Sequence, residues 1–105
     1  MAVDISGIIL ESKYLNSKVF SLIRLQILSS LSVLGQDGAT FRELKASLNQ
    51  TDGALFSNLK VLMQMGYVKN ETVRYENKSL ESFVITPQGL EEWNKTKDWL
   101  KKFAQ

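Results

Sequence analysis

Two short amphipathic segments stand almost back to back in the middle of the chain, and their spacing restricts the possible fold more than any other feature. The first, FRELKASL, has apolar residues at i, i+3 and i+7, and Thr40 with Glu43 forms a T-x-x-E capping box at its start. The second follows Thr51, which can cap it directly, and Gly66 ends it. Such helices can share one core only if the second crosses the first at a steep angle. The sequence therefore predicts a helix-turn-helix over residues 40–66.

The segment before this motif predicts one longer helix, from about Ser17 to Gly35. Apolar residues recur along it at intervals of three and four, namely Phe20, Ile23, Ile27, Leu31 and Leu34. A second apolar set lies round the side, namely Leu22, Leu25 and Leu28. The apolar arc is therefore wider than one core face needs, so the helix is either buried on several sides or also serves a subunit interface. Residues 1–14 fit a short helix or a packing arm.

After the second motif helix, the apolar period changes from helical to strand-like. YVKNETVRY, ENKS and LESFVIT predict a strand, a turn and a second strand, which together make a β-hairpin over residues 67–86. Because Val68 is out of phase with Val73 and Tyr75, we expect a bulge or frayed pairing near residues 70–72.

The end of the chain predicts one more helix. Thr86 followed by Pro87 supplies a capping hydroxyl and a proline at the first helical position, so the helix should cover residues 87–105. Its apolar residues fall along one side, namely Leu90, Trp93, Leu100 and Phe103.

The composition excludes several classes of function. The chain has 105 residues with neither histidine nor cysteine, which removes disulfides, the usual zinc ligands and histidine-based acid–base catalysis. Its carboxylates are scattered and no nucleophile–base pair is available, so we expect no enzyme, no metal and no cofactor. The longest apolar segment is interrupted by Arg24, Gln26 and several serines, which predicts no membrane span. With no signal region after Met1, we expect one cytoplasmic domain over residues 1–105.

The predicted order of elements is helix, helix-turn-helix, hairpin and helix, which is the winged helix-turn-helix order. Within that order, IRLQIL, TFRELKASLNQTDGALFSNLKVLMQMGYV and FVITPQGLEEW resemble the MarR-like and ArsR-like winged-helix transcriptional regulators, above all the short single-domain MarR-like type. The resemblance implies a mainly α fold with a small β-hairpin wing. It divides the chain into an N-terminal arm and first helix (1–35), the helix-turn-helix (40–66), the wing (67–86) and a C-terminal dimerisation helix (87–105). A small-molecule effector is not identified.

The resemblance also implies how the chain would meet double-stranded DNA. The recognition helix, about residues 51–65, would enter the major groove, and the wing would contact the adjacent backbone or minor groove. Each polar residue concerned could instead be an ordinary surface side chain or a helix cap. The residues implied in DNA binding are Thr40, Arg42, Lys45, Thr51, Gly53, Phe56, Ser57, Asn58, Lys60, Arg74 and Lys78.

A homodimer would bring two recognition helices to adjacent major grooves. The residues expected at its interface are apolar, and they could instead pack within one subunit. They are Ile5, Ile8, Ile9, Leu22, Leu25, Trp99 and Phe103.

Charge leaves a second function open. The chain has a net charge of +2, and residues 40–86 carry six lysines and arginines against five acidic residues, a balance of +1. Phosphate binding normally draws on more positive charge. Phe56 could contact a thymine methyl group or a protein partner. We therefore predict a sequence-specific DNA-binding transcriptional regulator that acts as a homodimer, and the alternative is a winged-helix protein–protein interaction module without DNA binding.

Overall fold

The computed structural model describes residues 4–104, which form five α-helices and a three-stranded antiparallel sheet. The helices are α1 (Ile5–Glu11), α2 (Leu22–Leu34), α3 (Phe41–Leu48), α4 (Asp52–Gln64) and α5 (Pro87–Phe103). The strands are β1 (Ala39–Thr40), β2 (Val68–Tyr75) and β3 (Lys78–Ile85), and their order in the sheet is β1-β3-β2. The predicted mainly helical fold with a hairpin wing is confirmed. None of these helices combines the length and the apolar character that crossing a bilayer requires.

The predicted helix starts are made by side-chain caps. Thr40 and Glu43 form the full capping box of α3, and Thr51 Oγ1 accepts the N–H of Ala54 at 3.2 Å at the start of α4. Thr86 caps α5 in the same way, with Pro87 as its first residue. These contacts satisfy backbone donors that have no partner inside a helix. Local sequence signals thus fix where the helices of the motif begin.

The core lies where α2 meets the helix-turn-helix and the root of the wing. α2 contributes three fully buried residues, and α4 contributes another three from its inner side. Leu44 of α3 and residues of β3 close the remaining sides. The fully or almost fully buried apolar residues are Val19, Ile27, Leu28, Leu31, Ala39, Leu44, Leu55, Leu59, Leu62, Val68, Phe83, Val84 and Ile85. Burial of one such leucine stabilises the fold by roughly 1.5–3 kcal/mol before entropy is counted.

The first long helix begins later than the sequence predicts. Residues Ser17–Val19 form a separate 3₁₀ turn, and Ser21 caps α2 by accepting the N–H of Arg24 at 3.2 Å. Phe20 therefore lies outside the helix, and the apolar stripe begins at Ile23. Leu28, expected on the side of the helix, is fully buried in the core.

The wing is a regular hairpin, and the predicted irregularity near residues 70–72 is wrong. The strands pair without interruption from Val68 with Ile85 to Tyr75 with Lys78. Beyond its root the hairpin exposes both faces, so no buried face requires the apolar residues to keep one phase. The short strand β1 was not predicted, because only its pairing with β3 defines it.

The buried residues of α5 are polar or small rather than apolar. Gly89, Glu92 and Thr96 are buried, whereas two residues of the predicted stripe, Leu90 and Phe103, are exposed. Gly89 permits a close approach, because a Cβ atom there would lie 2.1 Å from the backbone oxygen of Tyr67. The α5 helix is therefore packed tightly onto the start of the wing.

Candidate nucleic-acid interface

The outer face of α4 is open along its N-terminal half. Leu55, Leu59 and Leu62 anchor the opposite side in the core. On the outer face Ser57 and Lys60 are exposed, and a Cβ atom built on Gly53 would meet no atom within 4 Å from the rest of residues 4–104, apart from its chain neighbours and the adjacent helix backbone. The leucine spacing therefore presents a polar face with room for a partner to approach the backbone.

The start of α4 is tied to α3 by an ion pair. Lys45 Nζ lies 2.7 Å from Asp52 Oδ1, and both side chains are largely exposed. Such surface pairs contribute little stability, typically 0–1 kcal/mol. The pair offsets the negative charge of Asp52 beside the exposed cap Thr51. Lys45 is therefore already paired with Asp52.

Asn58 is turned to the side of α4 rather than outward. Its Oδ1 accepts the Nε–H of Arg24 at 2.9 Å, and its Nδ2 donates to the backbone oxygen of Ala54 at 2.7 Å. Arg24 also donates from Nη1 to the backbone oxygen of Lys18. Asn58 thus joins α4 to α2 and to the preceding turn. Arg24 is the residue that sequence reasoning missed here, since nothing in the sequence pairs it with a residue 34 positions away.

The start of α3 forms a second part of the surface. The N–H and the hydroxyl of Thr40 donate to Glu43 Oε1 at 3.1 and 2.9 Å, and they lower the pKa of that carboxyl below its ordinary value. The Thr40 hydroxyl is therefore occupied as a cap. Arg42 is exposed next to it, and a cleft brings Thr40 and Arg42 together with Lys78 of the wing.

The two cations predicted for the wing do not lie together. Arg74 pairs with Ser79, and Lys78 pairs with Tyr75, so the two cations belong to successive pairs of the ladder. Successive pairs face opposite sides of a sheet. Lys78 and Arg74 therefore face opposite sides of the wing. The two residues of the turn between them, Glu76 and Asn77, have positive φ values, as a two-residue hairpin loop requires.

Four cations of this surface take part in no ion pair among residues 4–104. They are Arg42, Lys60, Arg74 and Lys78. Lys69, by contrast, pairs with Glu71 at 2.9 Å. Within the same described residues, no group of three or more acidic side chains is placed to hold a metal ion.

The residues expected at a dimer interface fall into two groups. Ile5, Ile9, Leu22 and Phe103 are exposed, with Leu22 reaching 75%. Ile8, Leu25 and Trp99 are half-buried within the chain. Trp99 Nε1 donates to the backbone oxygen of Ile8 at 2.7 Å, and its ring stacks on Phe103 with centroids 4.8 Å apart. Trp99 thus holds α1 against α5 within one chain and leaves the first group facing outward.

A polar hub at Asn16 joins α5 to the end of α4. The N–H of Asn16 donates to Glu92 Oε2 at 2.9 Å, and Glu92 is 6% exposed. The Asn16 side-chain amide lies 3.1 Å from both Met65 Sδ and the Tyr67 hydroxyl. Sequence reasoning missed this hub because its members are far apart along the chain. The Glu92 carboxylate can be buried on α5 because it has two partners, the N–H of Asn16 and the ammonium group of Lys95, which lies 3.3 Å away.

Comparison with known proteins gives this arrangement a family. A family model described as a winged helix DNA-binding domain matches residues 23–104. That range includes the helix-turn-helix, the wing, all of α5 and nearly all of α2. No curated protein matches the chain.

Solved structures share the same fold. A transcriptional regulator homologue from Pyrococcus horikoshii OT3 aligns with a TM-score of 0.76 and 26% identity, over 90% of this chain and 91% of that one. MepR from S. aureus, in a complex with DNA, aligns with a TM-score of 0.73 and 13% identity, over 95% and 81%. A mutant MarR from E. coli aligns with a TM-score of 0.69 and 17% identity, over 96% and 79%. The predicted resemblance to MarR-like winged-helix regulators is confirmed.

Proposed function

Because the chain belongs to the family of winged helix DNA-binding domains, we propose that it is a sequence-specific transcriptional regulator that binds double-stranded DNA as a homodimer. In this proposal the outer face of α4 enters the major groove. That face carries Gly53, Phe56, Ser57 and Lys60. The wing lies along the neighbouring backbone or minor groove. The cap at Thr51 and the start of α3 hold the phosphates on either side.

The observation that carries the proposal is the exposed outer face of α4. Three buried leucines fix the helix from behind, so its outer face is presented rigidly. Ser57 and Lys60 can bond to base edges or phosphates, and the open space at Gly53 lets the backbone approach a groove wall. MepR, which has this fold, was crystallised with DNA, and that supports the same kind of partner for this chain.

The sparse charge of one subunit is a reason to propose a dimer. Within residues 4–104, one chain offers four cations on this surface that take part in no ion pair, at Arg42, Lys60, Arg74 and Lys78. Two chains would offer eight, which corresponds to a log–log salt slope of at most about −7. The exposed apolar residues of α1 and the start of α2, together with Phe103, supply the surface that such a dimer would bury.

Fluorescence anisotropy of labelled duplexes across a salt series tests DNA binding. We expect affinity to fall by roughly a thousandfold or more between 50 and 200 mM salt. Lys78→Ala should weaken binding and make the slope shallower by about 1.8, because a dimer would lose two phosphate contacts of the wing. Lys101→Ala is the matched control, since Lys101 is an exposed lysine near the end of α5. Binding that is insensitive to salt, or equal effects of the two substitutions, would contradict the proposal.

Sedimentation of two charge substitutions on α2 tests the dimer. Leu22→Asp should give monomers, and it should not harm the helix because aspartate suits a first helical turn. Val33→Lys is the control at the other end of α2, where Val33 is 83% exposed and a cation suits the last turn. A Leu22→Asp protein that still sediments as a dimer would remove this region from the interface.

A further inference from the structure

The outer face of α4 carries one large apolar side chain, Phe56. Phe56 is 57% exposed, whereas the adjacent Leu55 and the nearby Leu59 are fully buried. The aromatic ring pairs found among residues 4–104 involve Phe20, Trp99 and Phe103 rather than Phe56. Leu55 and Leu59 lie on the inner face of α4, whereas the Phe56 ring lies on the outer face, where a partner would contact it.

The surroundings of Phe56 fit a duplex better than a protein. The exposed residues nearest to it along α4 are Asp52, Gly53, Ser57 and Lys60, none of which is apolar. A protein-docking site normally needs a contiguous apolar patch, and a single ring does not make one. The Phe56 ring is flanked by polar groups and a cation. This arrangement suits the major groove of DNA, where the base edges are mostly polar and the apolar thymine methyl groups are spaced apart.

We propose that Phe56 reads thymine through its 5-methyl group. The inference rests on the proposed function, because it needs α4 in the major groove. In that groove guanine, cytosine and adenine present hydrogen-bonding edges, while thymine adds a methyl group. A phenyl ring against a polar edge would bury groups without partners, which is unfavourable. Against a methyl group the ring buries only apolar surface, and removal of that surface from water is favourable.

The position of Phe56 along α4 sets where the thymine lies. It is the fifth residue of the helix, one turn after Asp52 and one turn before Lys60. The N-terminal half of a recognition helix is the part that meets base edges. We therefore expect one thymine at a fixed place in each half-site, and the same thymine on the opposite strand of the second half-site.

Single-base methyl removal tests the inference. The probe is the tightest duplex selected from a random pool, with each thymine replaced in turn by uracil, which lacks only the methyl group. At one position per half-site we expect affinity to fall about fourfold, the effect of one buried methyl group. Phe56→Ala should bind the thymine and uracil duplexes equally. Phe56→Leu should keep the preference, because leucine also offers an apolar surface.

Controls separate the possible failures. Val33→Ala removes an exposed apolar side chain elsewhere and should keep the wild-type preference. Thermal unfolding confirms that each variant is folded. If the protein binds duplex DNA but no uracil duplex differs from its thymine parent, the inference fails and the proposed function stands. If Phe56→Ala retains the preference, another residue reads the methyl group and the inference also fails. If the folded protein binds no duplex at all, the proposed function fails with it.

Discussion

Replacing Arg24 by methionine should loosen the attachment of α4 to α2 without changing the outer face of α4. Arg24 joins α2 to α4 through its 2.9 Å hydrogen bond to Asn58, and it also bonds to the backbone of Lys18. Hydrogen bonds from charged groups contribute about 1.5–3 kcal/mol net. This pair is only partly buried, so solvent screening reduces the Arg24–Asn58 bond to about 1 kcal/mol. Methionine keeps the apolar stem and removes the donors.

A double-mutant cycle isolates that bond. Asn58→Ala alone loses the bond but gains helix propensity of roughly 0.6 kcal/mol, so the single variant should change stability little. Urea unfolding of the wild type, Arg24→Met, Asn58→Ala and the double variant removes the propensity term by subtraction. We expect a coupling free energy of about 1 kcal/mol. A value within the additivity error of about 0.3–0.5 kcal/mol would mean that the two side chains do not interact in solution.

The same variants carry a functional readout. If Arg24 positions α4, Arg24→Met should weaken binding to a preferred duplex while leaving the salt slope unchanged, because no phosphate contact is lost. Asn58→Ala should have a similar effect, and the double variant should be no worse. A slope that becomes shallower by about 1.8 would show instead that Arg24 contacts DNA directly, as expected if two subunits each lose one phosphate contact.

Four further substitutions test the packing and the caps by urea unfolding. Gly89→Ala should destabilise the fold by about 3 kcal/mol because its Cβ would collide with the backbone of Tyr67, whereas Gly53→Ala, which enters open space, should stabilise it by about 0.5 kcal/mol. Thr96→Val should stabilise the fold by about 1 kcal/mol, since the fully buried Thr96 hydroxyl has no hydrogen-bond partner among residues 4–104. The lowered pKa of Glu43 means that its stabilising effect is present above the ordinary carboxyl pKa and is lost as pH falls through the folded value. The stability difference from Glu43→Gln should therefore shrink below about pH 4, and a constant difference down to pH 2 would contradict this.

The helix-turn-helix could be predicted because its signals are local. Thr40, Thr51 and Thr86 act within three residues of their own position, and the leucines of α4 lie on one side by helical period alone. The wing was predicted for the same reason. Its regular pairing was missed because an exposed hairpin need not alternate, so an out-of-phase Val68 carried no information about the ladder.

The parts that could not be predicted depend on contacts between distant residues. The two-residue strand β1 exists only through its pairing with Phe83 and Ser82. Asn58 was expected among the DNA-binding residues, yet whether its side chain turns outward depends on Arg24. The polar face of α5 is buried because the segment around Asn16 folds back over Glu92. Periodicity places residues on a helix but does not say which neighbour will cover them.

Selection of bound sequences from a random duplex pool tests most directly whether the outer face of α4 reads DNA. We predict an enriched inverted repeat whose half-sites are about 10–10.5 base pairs apart, centre to centre, or a multiple of that distance. Ser57→Ala and Lys60→Ala should change or remove the enriched bases. A pool in which no sequence is enriched, or an enriched sequence that both substitutions leave unchanged, would contradict this function for α4.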